Sequence, residues 1–289
     1  MLYEEEPYMQ SEMYHEASKI NNATGLALRR RIATVLGAEY YLKLISRGYK
    51  SYPMAQATAL PSVADLVEET PESKTFRNLV LRRRSLREFA EAPISLNDLT
   101  SIIFNAYGLT ATISLSFGVE QRLRGVPSGG ALYPLELYAV AFRVDGLPSG
   151  VYHYNVEAHS LELLREGQFD AEFGRAVFYE DMFKTVSAAF VITGVPKRSA
   201  FKYGERAYRF INLEAGHVGQ NICMTATALG IGCLMVGGFY DDDIDSLVGI
   251  DGLNELSLYT AAVGYPKQQV FSIKPKEKAQ EENDISAEQ

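Results

Sequence analysis

Two cysteines and four histidines are all the thiol and imidazole side chains that the 289 residues offer. Cys223 and Cys233 lie in apolar surroundings. That pattern reads as two buried thiols rather than a disulfide framework or a metal centre. His153 and His159 have no second ligand at metal spacing, and His15-Glu16 opens a zinc-type pattern in which Lys19 stands where the second histidine belongs. No metal site is assigned. No apolar run reaches membrane-spanning length. The acidic start, Glu4-Glu5-Glu6, has no apolar segment behind it and so lacks a secretory signature. The expectation is a soluble cytoplasmic protein without a membrane partner. An excess of basic charge is also missing: the net charge is −8, which argues against a nucleic-acid partner. There is no P-loop and no internal repeat. Gly230-Ile231-Gly232 begins a dinucleotide fingerprint, but Met235 replaces its third glycine and the segment runs from helix into strand, the reverse order. A nicotinamide-binding βαβ domain is not expected.

What is present is an ordinary soluble balance, 47% hydrophobic and 22% charged residues, enough for a sizeable core. The chain is organised around Phe201 to Phe239. A cationic and phenolic cluster (Lys202, Tyr203, Arg206, Tyr208, Arg209) precedes a long helix whose apolar or small residues recur at Ile211, Ala215, Val218, Ile222, Ala226 and Leu229. Gly230 should stop that helix. A strand-length run, Ile231 to Val236, then ends in Gly237-Gly238. A helix with reactive groups at its start and bare glycines just beyond its end makes a wall for a flat ligand.

Residues 1–75 read as a helical extension, helical from Gly25 to Arg47, with Pro53, Pro61 and Pro71 punctuating an irregular linker. A core domain spans 76–273, and the polar residues 274–289 read as a disordered tail. Within the core, Leu79 to Phe89 is a helix end followed by a basic turn. Ser95 caps a helix that runs to about Tyr107, and a loop follows to Arg124. Strands at Leu135–Val144, Val151–Tyr154 and Leu161–Leu164 form an antiparallel meander. A helix at about 169–180, a strand at Ala188–Thr193, an acid-headed helix from Asp241 to Gly249 and a strand at Leu256–Val263 complete an α+β chain.

Three clusters can carry chemistry. Arg83, Arg84, Ser85 and Arg87 suit a phosphate clamp or a solvated basic turn. Pro127-Ser128-Gly129-Gly130 lets a backbone approach a ligand, or simply turns before a strand. Lys202 or Tyr203 suits a general base if burial or neighbouring cations lower its pKa; spacings of four and three place Lys202, Arg206 and Arg209 on one helical face. The alternative is an exposed basic helix start. His217, Gln220 and Asn221 are polar positions of the long helix that face solvent, a ligand or a partner.

Taken together these stretches resemble a known family. Arg83-Arg84-Ser85-Leu86-Arg87-Glu88-Phe89 resembles the opening FMN motif of the nitroreductase superfamily. Pro127 to Glu136, Phe201-Lys202-Tyr203 with Tyr208-Arg209, Glu214-Ala215-Gly216, Gln220-Asn221, Gly237-Gly238-Phe239 and Tyr14-His15-Glu16 are similar to its SagB-type dehydrogenase branch, over about residues 12–266. That branch includes FMN-dependent oxidases that turn thiazolines and oxazolines into thiazoles and oxazoles. The resemblance implies a nitroreductase-like α+β fold with a central, mostly antiparallel sheet flanked by helices, and a homodimer with FMN at its interface. It implies that Arg83, Arg84, Ser85 and Arg87 hold phosphate and ribityl chain, with Pro127, Ser128, Gly129 and Gln220 also on the cofactor. Gly237 and Gly238 lie at the flavin edge, and Lys202 with Tyr203 acts as the base. It further implies a peptide- or carrier-bound azoline substrate, presented by a synthetase complex, and molecular oxygen as acceptor. The competing readings are a nicotinamide-dependent nitroreductase or flavin reductase and a catalytically silent scaffold subunit.

Overall fold

A computed structural model describes residues 9–46, 48–62 and 70–268. The tail expected to be disordered lies outside them, as do the first residues of the chain.

The chain opens with helix α1 (Met9–Ser18). Helix α2 (Asn22–Leu36) follows, and helix α3 (Glu39–Ser46) after it. One helix was expected from Gly25 onward; Gly37 closes α2 instead, its N–H donating to Ala33 O at 2.9 Å. The turn-rich start of α2 is a reciprocal cap. Asn21 accepts from the Ala23 and Thr24 N–H groups while Thr24 Oγ1 accepts from Asn21 N–H. Helix α4 (Pro71–Arg82) has Thr70 as its N-cap. Pro71, expected in the linker, is therefore the first helical residue, where its missing N–H costs nothing.

The two-residue strand β1 (Ile94–Ser95) leads into α5 (Leu96–Tyr107), with Ser95 Oγ accepting from Asp98 N–H at 3.0 Å as the sequence predicts. The expected loop before Arg124 is instead a hairpin of β2 (Leu109–Ser114) and β3 (Glu120–Arg124). Nearly every β2 residue is exposed, so no buried alternation marks it. Then come β4 (Leu135–Ala141), β5 (Val144–Asp145), β6 (Gly150–Asn155) and β7 (Ser160–Glu166). The helix expected at 169–180 is two: α6 (Asp170–Ala176) and α7 (Glu180–Phe183), parted where Phe178 takes a positive φ of 65°. Strand β8 (Ala188–Gly194), α8 (Lys197–Tyr203), α9 (Arg206–Ala228), β9 (Gly232–Val236), α10 (Asp241–Val248) and β10 (Leu256–Gly264) complete the chain.

The main sheet runs β7-β6-β4-β8-β10-β9, and every neighbouring pair is antiparallel. Alternation along its strands feeds two cores. Leu137, Ala139, Phe190 and Ile192 face α5 and α9, meeting Leu99, Ile102, Ile211, Val218 and Ile222. Tyr138, Val140, Ala189 and Val191 face α6, α7 and α10, meeting Phe173, Phe183, Ile244 and Leu247. Each such fully buried large side chain contributes roughly 1.5–3 kcal/mol. The apolar stripe of α9 is buried as expected from Ile211 through Ala226.

Helix α1 is tied to this core at both ends. The Glu205 carboxylate accepts from the Gln10 and Ser11 N–H groups at 3.3 and 2.8 Å, and Asp241 Oδ2 accepts from Ile20 N–H at 2.8 Å. Between them His15, 5% exposed, pairs through Nδ1 with Tyr208 Oη at 3.2 Å.

Candidate active site

Lys202 and Tyr203 end α8. Gly204, at φ 52° and ψ −141°, breaks the chain before α9 begins. Lys202, Arg206 and Arg209 therefore do not share one continuous helical face, because a left-handed glycine separates the first from the other two. What meets Lys202 and Tyr203 is the glycine turn. A Cβ on Gly130 would lie 2.7 Å from Lys202 Nζ and closer still to Tyr203 Oη, and one on Gly129 would lie 3.2 Å from the Phe210 ring. The Tyr203 ring meets Phe210 edge-on at 4.9 Å. Two stretches far apart in sequence thus form one cluster: a cation and a phenol over bare backbone.

Beneath the turn lies a buried polar network. Glu214, 2% exposed, accepts from Tyr107 Oη at 2.8 Å on one oxygen and from Ser128 Oγ on the other. Each hydroxyl accepts in turn from the main chain: Ser128 Oγ from Tyr133 N–H at 3.0 Å, Tyr107 Oη from Leu135 N–H at 3.1 Å. Burial pushes the Glu214 carboxyl above its ordinary range; the two hydroxyls and the nearby Arg124 oppose that shift. Arg124 stacks 4.0 Å from the Tyr107 ring centre. Pro127 is exposed, and its carbonyl pairs with His217 Nδ1 at 3.3 Å. Sequence reasoning assigned no role to Glu214. The signal was a carboxylate set between Ile211, Ala215 and Val218 on the buried stripe.

The other predicted residues lie elsewhere along α9. Its C-terminal end meets the basic loop: Arg82 Nη2 donates to Thr227 O at 3.4 Å, Ser85 bridges to Cys233, and Leu86 N–H donates to Cys233 O at 3.0 Å. Cys233 and Cys223 are free, buried thiols with sulfurs 3.3 Å apart. Among the described residues, Arg83, Arg84 and Arg87 make no ion pair with a carboxylate. Arg84 Nη1 donates only to the carbonyls of Leu81 and Arg83. Guanidinium donors so little committed to protein acids fit a phosphate. Gly237 and Gly238 carry no positive φ. A side chain would meet only Tyr259, at 3.4 Å, from the first and nothing from the second. Neither conformation nor packing demands glycine there. Gln220 is exposed on α9, as are Gly216 and His217.

Gly237 also borders a cleft of about 990 Å³ whose walls include Tyr14 and His15 of α1, Tyr208, Arg209 and Phe210 of α9, and Leu258. No group of three or more potential metal ligands gathers among the described residues. No described helix is long and apolar enough to cross a membrane.

Residues 80–265 match the nitroreductase family. MJ1384 of Methanocaldococcus jannaschii, a nitroreductase by name, is 34% identical over 179 residues, covering 62% of this chain and 86% of that protein. The trifolitoxin-processing protein TfxB of Rhizobium leguminosarum bv. trifolii is 29% identical, over 57% of this chain but 46% of its own length. Among solved structures, one chain of the Escherichia coli microcin synthetase McbBCD complex with truncated pro-MccB17 bound aligns with a TM-score of 0.63. That alignment covers 92% of this chain and 99% of the other at 18% identity, a likeness of fold. The all-antiparallel main sheet between two helical layers, the matched span and the trifolitoxin-processing relative agree with the SagB-type signatures read from the sequence, and the chain belongs to the nitroreductase family.

Proposed function

We propose that the chain is an FMN-dependent oxidase that dehydrogenates thiazoline or oxazoline rings, carried on a peptide or carrier protein, to thiazole or oxazole. The observation that carries the reading is the meeting of Lys202 Nζ and Tyr203 Oη over Gly130. Lys202, or Tyr203 deprotonated by it, takes the acidic ring proton. Bound FMN supplies the acceptor for the hydride that leaves the adjacent carbon, and the ring becomes aromatic. Arg83, Arg84, Ser85 and Arg87 hold the phosphate end, and the backbone of Gly237 and Gly238 faces the ring. Molecular oxygen is the terminal acceptor.

The site is completed by a second copy of the chain. Arg206 to Thr227 places the two clusters about 30 Å apart along α9 at 1.5 Å per residue. An antiparallel copy alongside sets one chain's Lys202 end next to the other's Arg83 end. The exposed stripe of Leu213, Gly216, His217 and Gln220 supports such an approach. We place the enzyme in the cytoplasm, beside a synthetase that supplies the ring.

Purified protein should be yellow, release FMN by mass, and shorten a thiazoline peptide by two hydrogens under air. A colourless protein that takes up no FMN would leave the scaffold reading. Rapid bleaching by NADH, with no action on azolines, would leave the reductase reading, which the M. jannaschii relative's name favours.

A further inference from the structure

We propose that Glu214 is a positioning residue. Its buried carboxylate locks the Ser128–Tyr133 turn in a strained shape and thereby seats Lys202 and Tyr203. The catalytic half of this inference rests on the oxidase reading above; the structural half stands without it.

The turn is costly to hold. Gly130, Ala131 and Tyr133 all have positive φ, 68°, 54° and 46°. Two of the three are not glycine, and a left-handed non-glycine residue is strained and persists only where its surroundings over-determine it. Gln121 Nε2 holds the Ala131 carbonyl at 2.9 Å from outside, and the buried bonds at the end of the turn converge on one carboxylate. Tyr133 N–H, at the strained residue itself, donates to Ser128 Oγ, whose own O–H donates to Glu214. Leu135 N–H, where β4 begins, donates to Tyr107 Oη, whose own O–H donates to the other Glu214 oxygen. Tyr133 Oη accepts from Arg124 N–H at 3.1 Å, closing the turn from its far side. Both hydroxyl protons thus converge on Glu214, which must accept on both oxygens. An amide offers only one acceptor.

The carboxylate has no other function in sight. It is sealed from solvent, touches neither Lys202 nor Tyr203, and lies on the helix face that otherwise carries Ile211, Ala215 and Val218. Burying a carboxyl on an apolar stripe is costly unless its hydrogen bonds are satisfied. Here they are satisfied by the two hydroxyls that hold the turn. Ser128, expected at the cofactor, spends its proton on this network.

The test compares wild type with Glu214→Gln and Tyr107→Phe, each in the full-length protein. Hydrogen exchange of peptides covering 126–136 reads the turn without substrate or flavin. We expect exchange there to quicken roughly tenfold in both variants, with the α6–α7 layer unchanged. Under the oxidase reading, kcat for a thiazoline peptide falls roughly 100-fold, because small misplacement of a base is expensive. KM and flavin content hold, and Glu214→Asp recovers part of kcat. Unchanged exchange at 126–136 overturns the positioning role whatever the activity. Quickened exchange with wild-type kcat overturns its catalytic half. Quickened exchange in a protein that never oxidises azolines sinks the oxidase reading and keeps the lock.

Discussion

The two ends of helix α9 differ in kind. Toward its N-terminal end a buried network closes on itself: Glu214, Ser128, Tyr107 and two main-chain N–H groups satisfy one another, and Lys202 and Tyr203 lie over the turn that it holds. At its C-terminal end the arginines lie on an exposed loop, joined to the edge strand β9 by Ser85 and Leu86, and no acid of the described chain claims them. The first end fixes a geometry, and the second leaves guanidinium groups with no carboxylate partner among the described residues. Transition states reward fixed donors and acceptors, whereas a phosphate brings its own charge and needs only donors within reach. Under the oxidase reading, one helix carries both halves of a site without either imposing its design on the other.

The contrast breaks most visibly at Lys202. Lys202→Ala should lower turnover of a thiazoline peptide roughly 1,000-fold while the purified protein keeps its flavin absorbance. Loss of flavin together with activity would merge the two ends into one. Next in size, Arg83→Ala combined with Arg87→Ala should weaken flavin binding roughly 10- to 100-fold by fluorescence titration, with kcat restored at saturating FMN. If kcat stays low there, the basic loop does more than bind.

A smaller effect sharpens the N-terminal end. Burial, and then the charge of Lys19, hold His15 below the ordinary imidazole range. A histidine whose folded pKa is depressed contributes stability above its unfolded value of about 6.5, and that contribution is lost as pH falls through the folded value. Exchange of α1 amides, corrected for intrinsic rate, should quicken severalfold between pH 7.5 and pH 5, and His15→Gln should flatten the change. An unaltered slope in His15→Gln would assign the dependence to another group. Smallest of all, Cys223→Ala should cost about 1 kcal/mol in urea unfolding and leave flavin content and kcat alone, because the thiol pair packs beneath the basic loop without facing a ligand.

Local physics made much of this legible. The Ser95 cap, the α9 stripe and the end at Gly230 each follow from spacing within a few residues, and each stands in the structure. The hairpin of β2 and β3 escaped because a strand exposed on both faces has no alternation to read. The break at Gly204 escaped because a glycine inside a helical pattern signals a joint only when its φ is known. The approach of Gly130 to Lys202 is a tertiary fact: the glycine pair was visible, its occupant was not. Glu214 stood in plain view as a carboxylate among apolar neighbours, and its hydroxyl partners were out of reach of sequence alone.

Gly204 has a consequence for how this protein could change over time or in the hand of an engineer. A seven-residue helix, Lys197–Tyr203, sits between Pro196 and a joint that only glycine occupies comfortably. That piece carries the reactive pair, yet its register is not transmitted into the long helix behind it. The pair can therefore be exchanged as a cassette, with new chemistry tried at 202 and 203 against Phe210, while α9 keeps its own helical register.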